Sequence, residues 1–346
     1  MIKRRFPVRE IAFLFTIMKV LLLGGSGLLG HHVLRLLLQT GHEVSALLRR
    51  QSAIRLPQDF MVRHAAHYRE YIGSLLDYDA LRSAAEGCDA IINCAGVTDM
   101  SLLRYEDYLP VNRDLCTLLL RLMNESGISR LVHIGTANTI GYGSADHPSN
   151  EDAPMMQPFA SSLYARSKQE GEQALFDEVQ RHPDWHVVVL CPGFMVGDYD
   201  VKPSSGQLLL TAYRKPLMAV PRGGKSFVAA SDVAVATVNA LTLGKSGQQY
   251  LLTGENMSLA DFYRLQASVC GYKQRIVLLP TWLVLMAGAV GSMLRWFRLR
   301  TQLSLCNVRQ LLVREYYDNS LARRTLAMPS TPVSDAIAQF FEWYGK

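Results

Sequence analysis

The sequence predicts an α/β protein, a doubly wound parallel sheet carrying a smaller C-terminal lobe. Three observations carry this. An apolar run of strand length, Lys19-Val20-Leu21-Leu22-Leu23, meets the cluster Gly24-Gly25-Ser26-Gly27-Leu28-Leu29-Gly30, which leads into an apolar helix-forming segment, 31–39. Short buried-type runs recur at 43–48, 88–96, 131–134 and 186–190, with helix-forming sequence between most of them. Two of these runs end in small residues, Ala95-Gly96 and Gly135-Thr136-Ala137, which leaves room for a ligand at the strands' carboxyl ends.

The glycine cluster is the most informative stretch. Gly24 lets the chain leave the strand sharply. A side chain at Gly27 would keep the backbone from approaching a pyrophosphate, and Gly30 lets the helix pack close. Free amides at the helix start would face the anion, helped by the helix dipole. The second strand ends at Arg49 and Arg50, where an acidic residue would hold the ribose 2′-hydroxyl of NAD. An arginine there pairs instead with the 2′-phosphate of NADP, so NADP(H) is expected over NAD(H).

Further along, 71–76 reads as a strand edge, 77–85 as a helix and 88–96 as a buried strand ending in Cys94-Ala95-Gly96. A helix is expected over 109–125, with Asn112 near its start, and a strand over 131–134. The stretch 141–159 is rich in Gly, Ser, Asp, Pro and Met and reads as a long functional loop. A helix over 162–180 and a strand over 186–190 follow; Pro192-Gly193 breaks that strand, and 198–206 is a second polar loop. The pattern then loosens, as suits a substrate lobe. We divide the chain into an extension, 1–17, a nucleotide-binding domain, 18–200, and a mainly substrate-binding lobe, 201–346, some of whose segments return to the core.

Composition narrows the classes. Hydrophobic residues make up 49% and charged ones 19% of the 346 residues, which fits a folded enzyme rather than a disordered chain. The net charge of +6 sits partly in the local runs Lys3-Arg4-Arg5 and 295–300, with no long basic stripe, so a nucleic-acid partner is not expected. The six cysteines form no Cys-x-x-Cys and no metal-like pairing with histidine, so no metal site is expected and a reducing, cytoplasmic setting is. The segment 276–294 lacks charges and is followed by Arg295-Trp296-Phe297-Arg298; a core or lid helix is the preferred reading, with peripheral membrane contact and a membrane-associated fraction as the alternative.

Tyr164-Ala165-Arg166-Ser167-Lys168 follows the long loop. Spacing of four places phenol and ammonium on one helical face. A neighbouring ammonium favours the phenolate and brings a weak acid toward working range.

With these motifs the chain resembles an extended short-chain dehydrogenase/reductase, of the NAD-dependent epimerase/dehydratase superfamily, most similar to its dihydroflavonol 4-reductase and 3β-hydroxysteroid dehydrogenase branch. The resemblance rests on the glycine cluster, Asn93-Cys94-Ala95-Gly96, Val111-Asn112, Thr136, Tyr164 with Lys168, and Cys191-Pro192-Gly193. It implies a Rossmann-type fold and an NAD(P)-dependent oxidoreductase interconverting a ketone and a secondary alcohol on a hydrophobic small molecule. Tyr164 would be the general acid, Lys168 would hold the nicotinamide ribose, Thr136 would bond the substrate oxygen, and Asn112 would support a proton relay. Ser74 and Leu75 would lie by the adenine, with Ser74 where relatives have an aspartate. Gly135-Thr136 stands where they carry two hydroxyl residues, with Thr139 as the neighbouring alternative. Pro192 and Gly193 would face the cofactor, loops 99–105, 142–156 and 194–202 the substrate, and helices 109–125 and 162–180 a second copy in a homodimer. The alternatives are an NAD-dependent nucleotide-sugar epimerase or dehydratase, against which Cys191 and Arg49 speak, and a non-catalytic nucleotide-binding sensor.

Overall fold

A computed structural model describes residues 17–201 and 205–345; all but the last residue of the extension 1–17 lies outside the described residues. Six strands, β1 (Lys19–Leu23), β2 (Glu43–Leu48), β3 (Tyr68–Ile72), β4 (Ala90–Asn93), β5 (Arg130–Ile134) and β6 (His186–Pro192), join a seventh, Gln248–Leu252. Their order across the sheet is Gln248–Leu252, β6, β5, β4, β1, β2, β3, and every pairing is parallel. The order reverses between β1 and β4, which opens a crevice at the strands' carboxyl ends.

A strand buried on both faces must be apolar throughout, and β1 shows it. Val20 and Leu22 pack with the first helix, Leu28–Gln39, and with Ala230–Asn239. Leu21 and Leu23 pack with Tyr78–Ala84 and Leu115–Ser126 on the opposite face. A separate cluster, in which Phe227 stacks on Phe262 at 4.0 Å, fills the second lobe. There Gly224–Ala229 pairs with Phe194–Val196, Glu255–Ser258 and Arg314–Glu315.

Several boundaries differ from the sequence reading. The first helix begins at Leu28, because Gly27 is its N-cap. The third strand is Tyr68–Ile72 rather than 71–76; it is a polar, half-exposed edge strand, so the apolar Ile72, Leu75 and Leu76 misplace it. The helix expected over 109–125 opens as a π-turn, Pro110–Asp114, before Leu115–Ser126, and Gly127 at φ 73° ends it. The uncharged segment divides at Pro280 into a strand, Arg275–Leu278, and a sixteen-residue helix, Thr281–Trp296. Among the described residues no helix is long and apolar enough to cross a membrane.

Candidate active site

The glycine turn is built by backbone contact. Gly24 sits at φ +75°, and a Cβ there would lie 2.7 Å from the amide nitrogen of Ala95, so the exits of β1 and β4 touch. A Cβ on Gly30 would lie 2.1 Å from the Gly24 carbonyl oxygen, whereas one on Gly27 would meet nothing nearer than that oxygen at 3.4 Å. Gly27 therefore faces open space, and that space is a cavity of about 970 Å³ over the crevice. His31, which the sequence reading passed over, fixes this turn. Its Nδ1 lies 2.8 Å from the Gly27 carbonyl, and its Nε2 accepts from the Arg55 amide at 2.9 Å. Burial lowers the imidazole's pKa, so the neutral ring donates at one nitrogen and accepts at the other.

Of the residues nominated from sequence, Gly24, Ser26, Gly27, Leu28, Leu29, Gly30, Arg49, Ser74, Leu75, Cys94, Ala95, Gly96, Thr136, Tyr164, Lys168, Pro192 and Gly193 line this one cavity. Arg50 and Asn112 do not. Asn112 is fully buried behind the wall: its Oδ1 accepts from the Val97 amide at 2.8 Å, and its Nδ2 donates to the Val97 carbonyl at 3.0 Å and Ser167 Oγ at 2.9 Å. It clamps the exit of β4 to the helix carrying Tyr164 and Lys168.

That helix, Leu163–Val179, starts at Ser162, whose side chain accepts from the Ala165 amide. It packs tightly on the π-turn at Gly171, where a Cβ would lie 2.2 Å from the Asn112 carbonyl oxygen. Lys168 Nζ donates to the Ile134 carbonyl at 2.9 Å and faces Ala95 O at 3.5 Å, so it bridges the ends of β5 and β4. Gly96 leaves room for this reach, since a Cβ there would stand 3.0 Å from Nζ. Burial holds the Lys168 ammonium below its usual pKa. Burial also pushes the Tyr164 phenol up to about 12, opposed by a hydrogen bond with the Thr136 side chain. Desolvation, with smaller upward contributions from Glu172, Cys191 and Tyr108, thus sets the phenol in the free protein rather than the downward pull expected from Lys168, and Tyr164 is a neutral O–H donor.

Behind the pair lies Glu172, one further helical turn along the same face and fully buried. Burial raises its carboxyl to about 7, against downward pulls from the Thr139 hydroxyl, Lys168 and the Thr136 backbone. Its Oε1 has no hydrogen-bond partner, and a Cβ on Gly135 would meet it at 2.3 Å. Gly135 is therefore glycine because the carboxyl occupies the neighbouring space. The linkage has a definite sign. A carboxyl whose pKa is raised by folding from 4.5 to about 7 costs no stability below pH 4.5, and the penalty grows as pH rises to about 7. Glu172→Gln is expected to be more stable than the parent at pH 8 by on the order of 3 kcal/mol, with the gap closing by pH 4.5. Denaturant melts across that range check it, and parallel curves would refute it.

The outer wall of the cavity includes Met100, Val111, Phe194, Met195, Leu303, Val308 and Leu311, together with a Lys225–Glu315 ion pair at 2.5 Å. Loop 194–201 contributes, and loop 99–105 does so through Met100. The loop 142–156 does not line the cavity. Gly143 and Ser149 bridge to Tyr316 and Tyr317, and Glu151 accepts from the Leu251 amide at 2.9 Å, so this loop is tied to the sheet edge instead. The segment 302–311, which supplies much of the far wall, carries no sequence pattern that announces it. No cluster of residues suited to a metal ion occurs among the described residues.

Comparison with protein families matches residues 20–253 to the NAD dependent epimerase/dehydratase family. The chain belongs to that family. Family members are NAD-dependent enzymes of the extended short-chain dehydrogenase/reductase type, and the site just described is where this family member's strand exits, glycine turn and Tyr-x-x-x-Lys helix converge. The chain is 26% identical over 331 residues to sterol demethylase protein B of Methylococcus capsulatus, covering 94% of this chain and 98% of that one. It is 25% identical over 331 residues to a putative dihydroflavonol 4-reductase of Synechocystis, covering 93% of each. Its fold matches UDP-glucose 4-epimerase of Bifidobacterium longum, solved with NAD+ and UDP, at a TM-score of 0.74 and 18% identity, covering 94% of this chain and 98% of that one. The residues present fit a dinucleotide: a side chain on Gly27 would project into the cavity where the helix amides open, and Arg49 and Lys168 supply cationic donors along its wall.

Proposed function

We propose that this enzyme interconverts a ketone and a secondary alcohol on a hydrophobic small molecule, using NADP(H) in preference to NAD(H). The observation that carries the reading is the meeting of Tyr164, Thr136 and Lys168 in one cavity that is also lined by apolar side chains such as Phe194, Met195, Leu303, Val308 and Leu311. When bound, the nicotinamide supplies or accepts the hydride. In the reductive direction the neutral Tyr164 phenol gives its proton to the carbonyl oxygen, and the Thr136 hydroxyl orients that oxygen. Lys168, whose ammonium faces two backbone carbonyls, would hold a ribose hydroxyl of the bound nucleotide and would stabilise the phenolate left behind. Apolar side chains such as Phe194, Met195 and Leu303 exclude water from the reacting carbonyl. The names of the two sequence relatives, a sterol-processing protein and a putative dihydroflavonol reductase, support a ring-bearing, lipophilic substrate.

The test is consumption of NADPH or NADH by purified protein with a panel of steroid, flavonoid and simple cyclic ketones. Turnover of a lipophilic ketone is expected. Copurified NAD with turnover of a nucleotide sugar and none of any ketone would sink this reading. Arg49 lines the cavity at the end of β2, so Arg49→Glu is expected to raise KM for NADPH by about tenfold or more and that for NADH far less, through loss of a charge-assisted contact. An unchanged ratio of the two KM values would show that Arg49 does not read the 2′-phosphate.

A further inference from the structure

The helix Thr281–Trp296 is inverted relative to an ordinary surface helix. Its inward face is small: a Cβ on Gly288 would lie 2.3 Å from Val308 Cγ2, and one on Gly291 would lie 2.0 Å from the Leu303 carbonyl oxygen. Its large apolar residues point outward. Trp282, Met286, Val290, Met293, Trp296 and the following Phe297 are each more than half exposed, and Trp296 is 80% exposed. A helix in water places polar residues on this face, so the stripe is not a requirement of folding.

The sequence on either side of this helix is one-sided in charge, and in space Asp107 lies near Arg300. Between Asp261 and Glu315 the sequence has no acidic residue but carries Arg264, Lys273, Arg275, Arg295, Arg298, Arg300, Arg309 and Arg314. That stretch alone holds a charge of +8 against +6 for the whole chain, so the rest is net negative by 2. The sixteen-residue helix spans about 24 Å, short of the roughly 30 Å of a bilayer core, and suits lying on a membrane rather than crossing it.

The same helix is tied to the cavity wall through its inward side. The Arg295 guanidinium donates to the carbonyls of Met100 and Leu102, and Asn307 Nδ2 donates to Met100 O at 3.1 Å. Met100, Asn307 and the half-exposed Leu303 line the cavity. We propose that the outward face of Thr281–Trp296, with Phe297, Arg298 and Arg300, docks on an anionic lipid surface and holds the substrate end of the cavity against it. The apolar stripe enters the headgroup boundary while the arginines pair with lipid phosphates. A second copy of the chain suits this face less well, because it would bring the same arginine-rich segment, 295–300, to the contact twice. The docking itself does not depend on the proposed chemistry, whereas the presentation of a substrate end to the lipid rests on it.

The test is cosedimentation of the purified full chain with phosphatidylcholine vesicles, with and without phosphatidylglycerol. The parent is expected to pellet with the anionic vesicles and to be released by high salt. A triple variant, Met286→Ser, Met293→Ser and Trp296→Ser, and a double variant, Arg298→Glu and Arg300→Glu, should each bind about tenfold more weakly or worse. Both change exposed side chains and should keep the parent's melting temperature and its nucleotide titration, which separates failure here from failure of the proposed reaction. A parent that stays in the supernatant with both vesicle types overturns the proposal. So does a serine variant that binds as the parent does, or a lipid-free dimer that the serine variant splits while neither protein binds vesicles.

Discussion

Replacing Tyr164 with Phe is expected to lower kcat for ketone reduction by roughly 10²–10⁴-fold while nucleotide affinity stays within about twofold of the parent. The substitution keeps the ring and removes only the group that delivers the proton. The loss corresponds to about 3–5 kcal/mol of transition-state stabilisation. The same phenol predicts opposite pH dependences for the two directions. With its pKa pushed up to about 12 by burial, Tyr164 is protonated throughout the neutral range, so reduction should be nearly flat with pH. Oxidation of the alcohol needs the phenolate and should accelerate as pH rises. Initial rates in both directions for parent and variant, beside a calorimetric titration with nucleotide, check this. Full activity in the Phe variant would remove Tyr164 from the acid's role.

The parts of this site that were legible in the sequence are those set by local chain geometry. Strand, glycines and helix follow one another within residues 19–39, and the contacts of Gly30 lie within that unit, whereas Gly24 also meets the distant Cys94-Ala95 backbone. Tyr164 and Lys168 are one helical turn apart, and the spacing alone places them together. The same spacing continued to Glu172, so a third polar residue on the buried face was readable and was passed over. What local pattern could not show is long-range contact. The loop 142–156 has the composition of a cavity lip, yet it bridges to Tyr316 and Tyr317 and is held to the edge strand through Glu151 and Leu251. Asn112 has the right position for a relay, but Val97 and Ser167 take its amide. The edge strand Tyr68–Ile72 has one paired side and little burial, so its hydrophobic pattern is weak and the next apolar residues attract the assignment.

Gly27→Ala and Gly30→Ala are expected to separate the two tasks of the glycine turn. At Gly30 the added methyl would sit 2.1 Å from the Gly24 carbonyl oxygen and 2.7 Å from the Gly25 Cα. Both neighbours are backbone, so no rotamer change relieves the overlap and the first helix must move off β1. That overpacking should cost about 3 kcal/mol, a fall of about 4 °C in Tm for a chain of this size, and nucleotide affinity should fall with it. At Gly27 the methyl meets only the Gly24 oxygen, at 3.4 Å, and φ is −86°, an ordinary value for alanine. The fold should tolerate it, with Tm within about 1 °C of the parent. The methyl would nevertheless project where the helix amides open into the cavity, and it should weaken NADPH and NADH alike by about tenfold or more, since the pyrophosphate is common to both. Differential scanning calorimetry and nucleotide titration on both variants read the two effects apart. A Gly27→Ala protein that binds nucleotide as tightly as the parent would mean that the phosphates do not lie over this turn, and the placement of every residue assigned from it would fall.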